Sequence, residues 1–409
     1  MNLFLRLALR NVFRNRIRTA VALLAIAAGC AALIVNGGVI FNIFAELRED
    51  AIRGRHGHLQ IYRAGYSDHH LDDPGRYLID QEQTAEILKL VASHPHVEHV
   101  TRQREFSGMI ASGERYVAFL GIGVDAADDG EFSRHVTLVR GDPLSAADPF
   151  GMVCGVGLAR RFAGSPGAIV TLMTNTETGA LNAVDVRLRG VFEGGMKAYD
   201  DWTLKLPLEA VFELLFDDRT EKIVVLLDRT ERVDDVRSDL EQLFAERRLD
   251  LEIRTWLDLA LFHNQTVNLF SRELDVIKLI VATIVILGIA NTIGMSIVER
   301  RVELATLRAL GLKRRAVTAL LMTEALLTGL VGGMLGVLLG AGLAWIVSAI
   351  GIPFPSPPGS TRPFTGGVDF VPGIAGFAFS LSVLATLAAA LLPVWRATRR
   401  PIAEGLRGI

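Results

Sequence analysis

Only two cysteines occur among the 409 residues, Cys30 and Cys154. One sits in an apolar run and the other alone in a mixed segment. No internal disulfide is therefore expected in any redox compartment. The chain also lacks a G-x-x-x-x-G-K-[ST] phosphate loop, a G-x-S-x-G elbow, an H-E-x-x-H pair and a C-x-x-C pair. Those absences exclude a P-loop nucleotidase, a serine hydrolase of the elbow type, a zincin and a dithiol redox motif. The sequence thus predicts no catalysis, metal or cofactor of its own, and no nucleic-acid partner.

Apolar residues are plentiful, at 50% of the chain, and they are unevenly placed. Four runs, 19–44, 273–298, 317–350 and 370–392, each exceed the roughly 20 helical residues that cross a bilayer core. The segments between them are sharply split in charge. Residues 1–18, the 299–316 loop and the 393–409 tail together hold fifteen basic and three acidic residues, although the whole chain is net −2. Basic residues stay on the cytoplasmic side, so both termini and the 299–316 loop are expected there. The fold class is a polytopic α-helical membrane protein with four transmembrane helices. A large α+β extracytoplasmic domain at 45–272 is inserted between helices 1 and 2, and a short outer loop lies at 351–369.

Within 1–18, Arg6, Arg10, Arg14 and Arg18 recur every fourth residue opposite Leu5, Leu9, Val12 and Phe13. That pattern predicts a basic helix lying in contact with membrane lipids. Ala28-Gly29-Cys30 looks like a lipoprotein cleavage site, but the apolar run continues through residue 44, which favours a retained span. In the insertion, strands are expected at 58–62, 116–121, 184–191, 203–206 and 223–227, and helices at 83–93, 208–216 and 232–247. Stalks are expected at 46–54 and 255–276. Strands do not alternate strictly with helices, so a mixed sheet is expected.

Three features could carry function. Gly332, Gly336 and Gly340 fall four apart in the third run, as do Gly329 and Gly333, which predicts close helix–helix packing. Glu324 is a carboxylate inside that run. It pairs either within the bundle or, as the favoured reading, with a basic residue of the preceding loop. Seven histidines, His56, His58, His69, His70, His94, His96 and His99, crowd one stretch beside Asp72, Asp73 and Glu98. Their spacing matches no closed metal motif, and surface or strand positions are the expected reading.

The 299–316 loop reads as a short amphipathic helix. Glu299, Glu303 and Thr306 are spaced to share a face, Leu304, Leu307 and Leu310 line another, and Gly311 supplies a stop. Two acids near its start fit a protein groove better than an anionic membrane.

The segment from Glu299 to Gly311 resembles the coupling-helix pattern E-R-x-x-E-[LI]-x-x-L-R-A-L-G of the FtsX/MacB/Lol-type ABC permeases. Residues 7–19, LALRNVFRNRIRT, are similar to the family's opening, and residues 393–407, PVWRATRRPIAEGLR, to its closing motif. The order of one span, a large domain and three more spans is also the family's layout. The resemblance implies that two permeases, either copies or paralogues, pair in the bacterial inner membrane. Each docks a coupling helix into a separate ATPase that binds the ATP and Mg2+. By the same resemblance Glu299, Glu303, Ala305, Thr306, Arg308 and Ala309 touch that ATPase. The domain between the first two spans is a MacB-like periplasmic core, with 151–167, 190–192 and 206–208 as its matching segments. Free-standing length best resembles the lipoprotein-release members, with a periplasmic carrier or adaptor as a further partner. MacB-like efflux of small molecules or peptides is the alternative, and signalling without transport is a third.

Overall fold

The computed structural model describes residues 16–399 apart from 71–73, 177 and 355–363. Most of the expected interfacial helix, the tail beyond residue 399 and much of the 351–369 loop lie outside the described residues, as do Asp72 and Asp73. Contacts divide the chain into two units, one built on 1–44, 266–353 and 365–409, the other on 45–265 with 354–364.

In the first unit the described residues include four helices long and apolar enough to cross a membrane. They are Arg16–Ala51, Leu261–Glu299, Arg314–Ile350 and Pro372–Arg399. At 1.5 Å per residue, the 36 and 39 residues of the first two far exceed a ~30 Å core. Their surplus turns are the polar ones, holding Glu46, Arg48, Glu49 and Asp50 in the first helix and His263, Asn264 and Gln265 in the second.

Glycine sets how these helices meet. A Cβ on Gly336 would stand 2.5 Å from Cys30 Cβ and 3.0 Å from the Ala27 carbonyl oxygen. Gly332 and Gly340 meet Ile26 and Ile34 at 2.9 and 3.0 Å in the same sense. Residues 26, 30 and 34 are themselves four apart, so one stripe of the first helix lies in the groove that three glycines leave open. Gly329 and Gly333 sit a quarter-turn away and meet the last helix at Thr386 and Phe379, at 3.2 and 2.9 Å. Ala378, Ser382, Thr386 and Ala389 of that helix are buried, and the Ser382 and Thr386 hydroxyls donate to carbonyls four residues back. The third helix is thus the hub, with one glycine series per neighbour.

The second unit holds a mixed sheet of ten strands among the described residues: β1 Leu59–Arg63, β2 Val97–Ser112, β3 Arg115–Val124, β4 Thr137–Gly141, β5 Gly151–Gly155, β6 Ile169–Asn175, β7 Leu181–Glu193, β8 Thr203–Pro207, β9 Lys222–Leu227 and β10 Leu251–Thr255. Their order is β10-β1-β9-β2-β3-β8-β5-β7-β4, with β6 joined to both β2 and β7. Strands β2, β3, β8, β5, β7 and β6 therefore pair in a closed ring, which leaves no free edge around that circuit. Its core includes Ile110, Phe119, Leu158, Phe162, Leu172, Leu188 and Leu206, covered by helices Val156–Phe162 and Leu208–Leu215.

Strand β2, 16 residues long, also reaches a second core. Its first half pairs with β9, and β9 pairs in turn with β1. All six residues of β9, KIVVLL, are buried, which is the composition of a strand covered on both faces. Helix Gln81–Ala92 contributes Ile87 and Val91 to this core, and helix Val233–Glu246 contributes Val236, Leu240 and Phe244. Each such side chain adds roughly 1.5–3 kcal/mol when fully buried.

His58 lies beside β9, its amide donating to the Val225 carbonyl at 2.8 Å. Its Nδ1 accepts from the Leu227 amide at 3.1 Å, so its proton sits on Nε2, 3.1 Å from the Thr230 hydroxyl. Burial, with Arg53 and Arg48 nearby, pulls its pKa from about 6.5 down to about 4. The unfolded chain then binds a proton first as pH falls, so stability present above pH 6.5 is lost between 6.5 and 4. Exchange protection of the β1 and β9 amides, corrected for intrinsic rates, should drop by up to about 3 kcal/mol over that window. Unchanged protection at pH 4.5 would contradict this placement of His58.

Candidate coupling site

The second long helix ends at Glu299, and Arg300 turns the chain at φ −98° and ψ 13° before helix Arg301–Ala309 begins. Glu299 therefore closes the span helix and does not belong to the same regular helix as Glu303 and Thr306. The expectation of one continuous face is corrected at that turn. Backbone pairing reaches Arg300 from both sides, since its amide donates to the Ser296 carbonyl at 3.2 Å and its carbonyl accepts from the Leu304 amide at 3.0 Å.

The short helix is strongly two-faced. Leu304 packs among Ile297, Val317, Leu321 and Val394, and Ala305 is also buried. Val302, Glu303, Thr306, Ala309 and Leu310 are exposed, Leu310 at 79%. Arg308 is half-buried and Glu299 exposed. Ala305 is only 6% exposed, so it lies on the inner face, away from the outward surface where the resemblance had placed it. Gly311 ends the helix at φ +101°, a left-handed conformation that glycine adopts without Cβ strain, and the Leu312 amide returns to the Leu307 carbonyl at 3.1 Å. Lys313 then stands extended and opens the third long helix.

Glu324 is held by Arg300, whose Nη1 donates to both carboxylate oxygens at 3.2 and 3.0 Å. The same guanidinium donates through Nε to Glu303 at 3.3 Å. In the sequence Arg300 counts only as one more basic residue. Its adjacency to the helix break, together with a carboxylate in the next span, is the signal that could have singled it out.

The histidines disperse. His94 faces Asp239 at 3.4 Å, His96 faces Asp228 at 3.5 Å beside Arg232, and His99 faces Glu131 at 3.5 Å. His70 stacks on Tyr66 with ring centroids 4.5 Å apart. Among the described residues no three His, Cys, Asp or Glu side chains gather at metal-binding range.

Comparison with known proteins bears on both units. Residues 19–243 match the family of the MacB-like periplasmic core domain, and residues 276–402 match the FtsX-like permease C-terminal family. The lipoprotein-releasing system transmembrane protein LolC of Neisseria meningitidis is 26% identical, over 99% of this chain and 97% of its own length. The macrolide export ATP-binding/permease protein MacB of Bdellovibrio bacteriovorus is 23% identical over 42% of this chain and 28% of its own. Among solved structures, the periplasmic region of MacB from Actinobacillus actinomycetemcomitans superposes with a TM-score of 0.37 at 15% identity, covering 53% of this chain and 95% of that one. The core-domain match alone takes in more than half the chain. With four spanning helices, an α+β periplasmic domain between the first two and a two-faced helix between the second and third, the chain is a multi-pass inner-membrane protein that belongs to the ABC-transporter permeases of the FtsX/MacB/Lol type.

Proposed function

We propose that this chain is the permease subunit of a transporter in which a separate ATPase drives the periplasmic domain to release lipoproteins or lipids from the inner membrane. The observation that carries the reading is the end-to-end similarity to LolC, over 97% of that protein's length, against 28% of the MacB relative. In this reading a separate ATPase supplies the nucleotide chemistry, since residues 1–409 hold no P-loop. ATP and Mg2+ are bound by the partner, and the outward face of Val302, Glu303, Thr306, Ala309 and Leu310 is the surface offered to it. A second permease, copy or paralogue, completes the pair, and a periplasmic carrier receives the cargo.

MacB-like efflux is the second reading, favoured by the MacB-like core at 19–243. Purification from native membranes followed by mass spectrometry separates the two. Lipidated proteins and a soluble carrier with the complex support release. An adaptor and outer-membrane channel with no lipidated cargo would replace it by efflux.

A further inference from the structure

The coupling face is only as useful as its grip on the membrane helices, and Arg300 is a side chain that holds carboxylates on both the short helix and the third span. Arg300 occupies the turn between the second span and the short helix, with its side chain 13% exposed. Its fork holds Glu303, one turn into the short helix, and Glu324, ten residues into the third span, at 3.0–3.3 Å. Glu324 is itself 15% exposed, and around the joint pack Ile297, Leu304, Val317, Leu321 and Ala325. A charge pair shielded among apolar side chains resists separation, because parting it leaves a carboxylate and a guanidinium poorly solvated. Only a planar guanidinium can hold two carboxylates on different elements in fixed directions. A lysine ammonium is a point charge on a flexible stem.

We propose that Arg300 is the positioning residue that makes the short helix and the third span move as one body, so that displacement of the docked face enters the membrane at Glu324. The third span then carries it to both neighbours through its two glycine series, to Ile26, Cys30 and Ile34 on one side and Thr386 and Phe379 on the other. This inference rests on the proposed ATPase coupling.

The test uses the complex purified from native membranes into nanodiscs, probed with ATP plus orthovanadate. The readouts are the amount of bound ATPase and the nucleotide-evoked change in hydrogen exchange over residues 59–255. Arg300→Gln and Glu324→Gln should each keep the ATPase bound while the evoked change falls about fivefold or more, the usual range of a lost coupling energy. The double variant should lose no more than either single one, because both remove the same link. Arg300→Lys, which keeps the charge and protects against misfolding, should give an intermediate response. A normal response in Arg300→Gln, additive losses, full function in Arg300→Lys, or loss of response only together with loss of the ATPase would each overturn the proposal. Absence of any ATPase from the unmodified complex would instead overturn the coupling reading beneath it.

Discussion

Glu303→Arg should strip most of the ATPase from the complex and lower its ATP turnover at least about thirtyfold, with insertion and folding of the chain intact. Glu303 lies in the first turn of the short helix, where the helix dipole favours a carboxylate. It belongs to the exposed face, beside Val302 and Thr306. Reversal removes an acceptor from the proposed docking surface and sets a third cation beside Arg300 and Arg301. Disturbing one partner of a desolvated interfacial charge pair costs about 2–5 kcal/mol, or some 30- to 4,000-fold in affinity. Because Glu303 also engages Arg300, Thr306→Trp provides a separate probe, since Thr306 is exposed and lies outside that fork. It should displace the ATPase by bulk alone. Arg308→Glu should act in the same direction but more weakly, its side chain being half-buried. Retention of full ATP turnover in Glu303→Arg and Thr306→Trp together would remove this face as the docking surface.

Gly336→Leu is expected to destabilise the helix bundle by about 3 kcal/mol or more, at the top of the range for overpacking. Its Cβ alone would meet Cys30 Cβ and a backbone oxygen at 2.5 and 3.0 Å. Neither can yield, because both belong to the rigid first helix, so the two helices must separate. Separation also empties the contacts of Gly332 and Gly340 along the same stripe. Gly342 is the internal control, with nothing within 4 Å of where a Cβ would stand, and Gly342→Leu should stay within about 0.5 kcal/mol. Unfolding of the detergent-solubilised chain compares the two. Equal stability would mean that the glycines are not a packing device.

Much of this architecture could be read from residue order because membrane constraints are strong. A bilayer demands about 20 apolar residues per span and sorts arginine to one side, so the four long helices stand out without any packing information. The periplasmic domain was less legible. Strands β9 and β3 were visible as IVVLL and an alternating YVAFLG. Strand β2 was not, since VEHVTRQREFSGMIAS carries polar residues on both faces and is held by pairing to β9, β3 and β6. Strand β5 reads GMVCG, with a glycine at each end and no alternation, and the ring closure through β6 depends on partners as distant in sequence as Met109 and Met173. At the coupling site an amphipathic helix was evident, but Leu310, expected on the Leu304 face, is 79% exposed beyond the helix end, and a single-residue turn at Arg300 is invisible to periodicity. That turn moves Glu299 off the helix, and Ala305 is buried together with Leu304, which packs against Val317 and Leu321.

Nucleotide on the cytoplasmic side is proposed to drive motion in the periplasmic domain. Hydrogen exchange across residues 59–255 of the unmodified complex, measured with and without ATP and orthovanadate, decides whether it does. The expected result is a nucleotide-dependent change in that domain, abolished by Glu303→Arg. A periplasmic domain whose exchange is indifferent to nucleotide, while the bound ATPase continues to hydrolyse ATP, would contradict it.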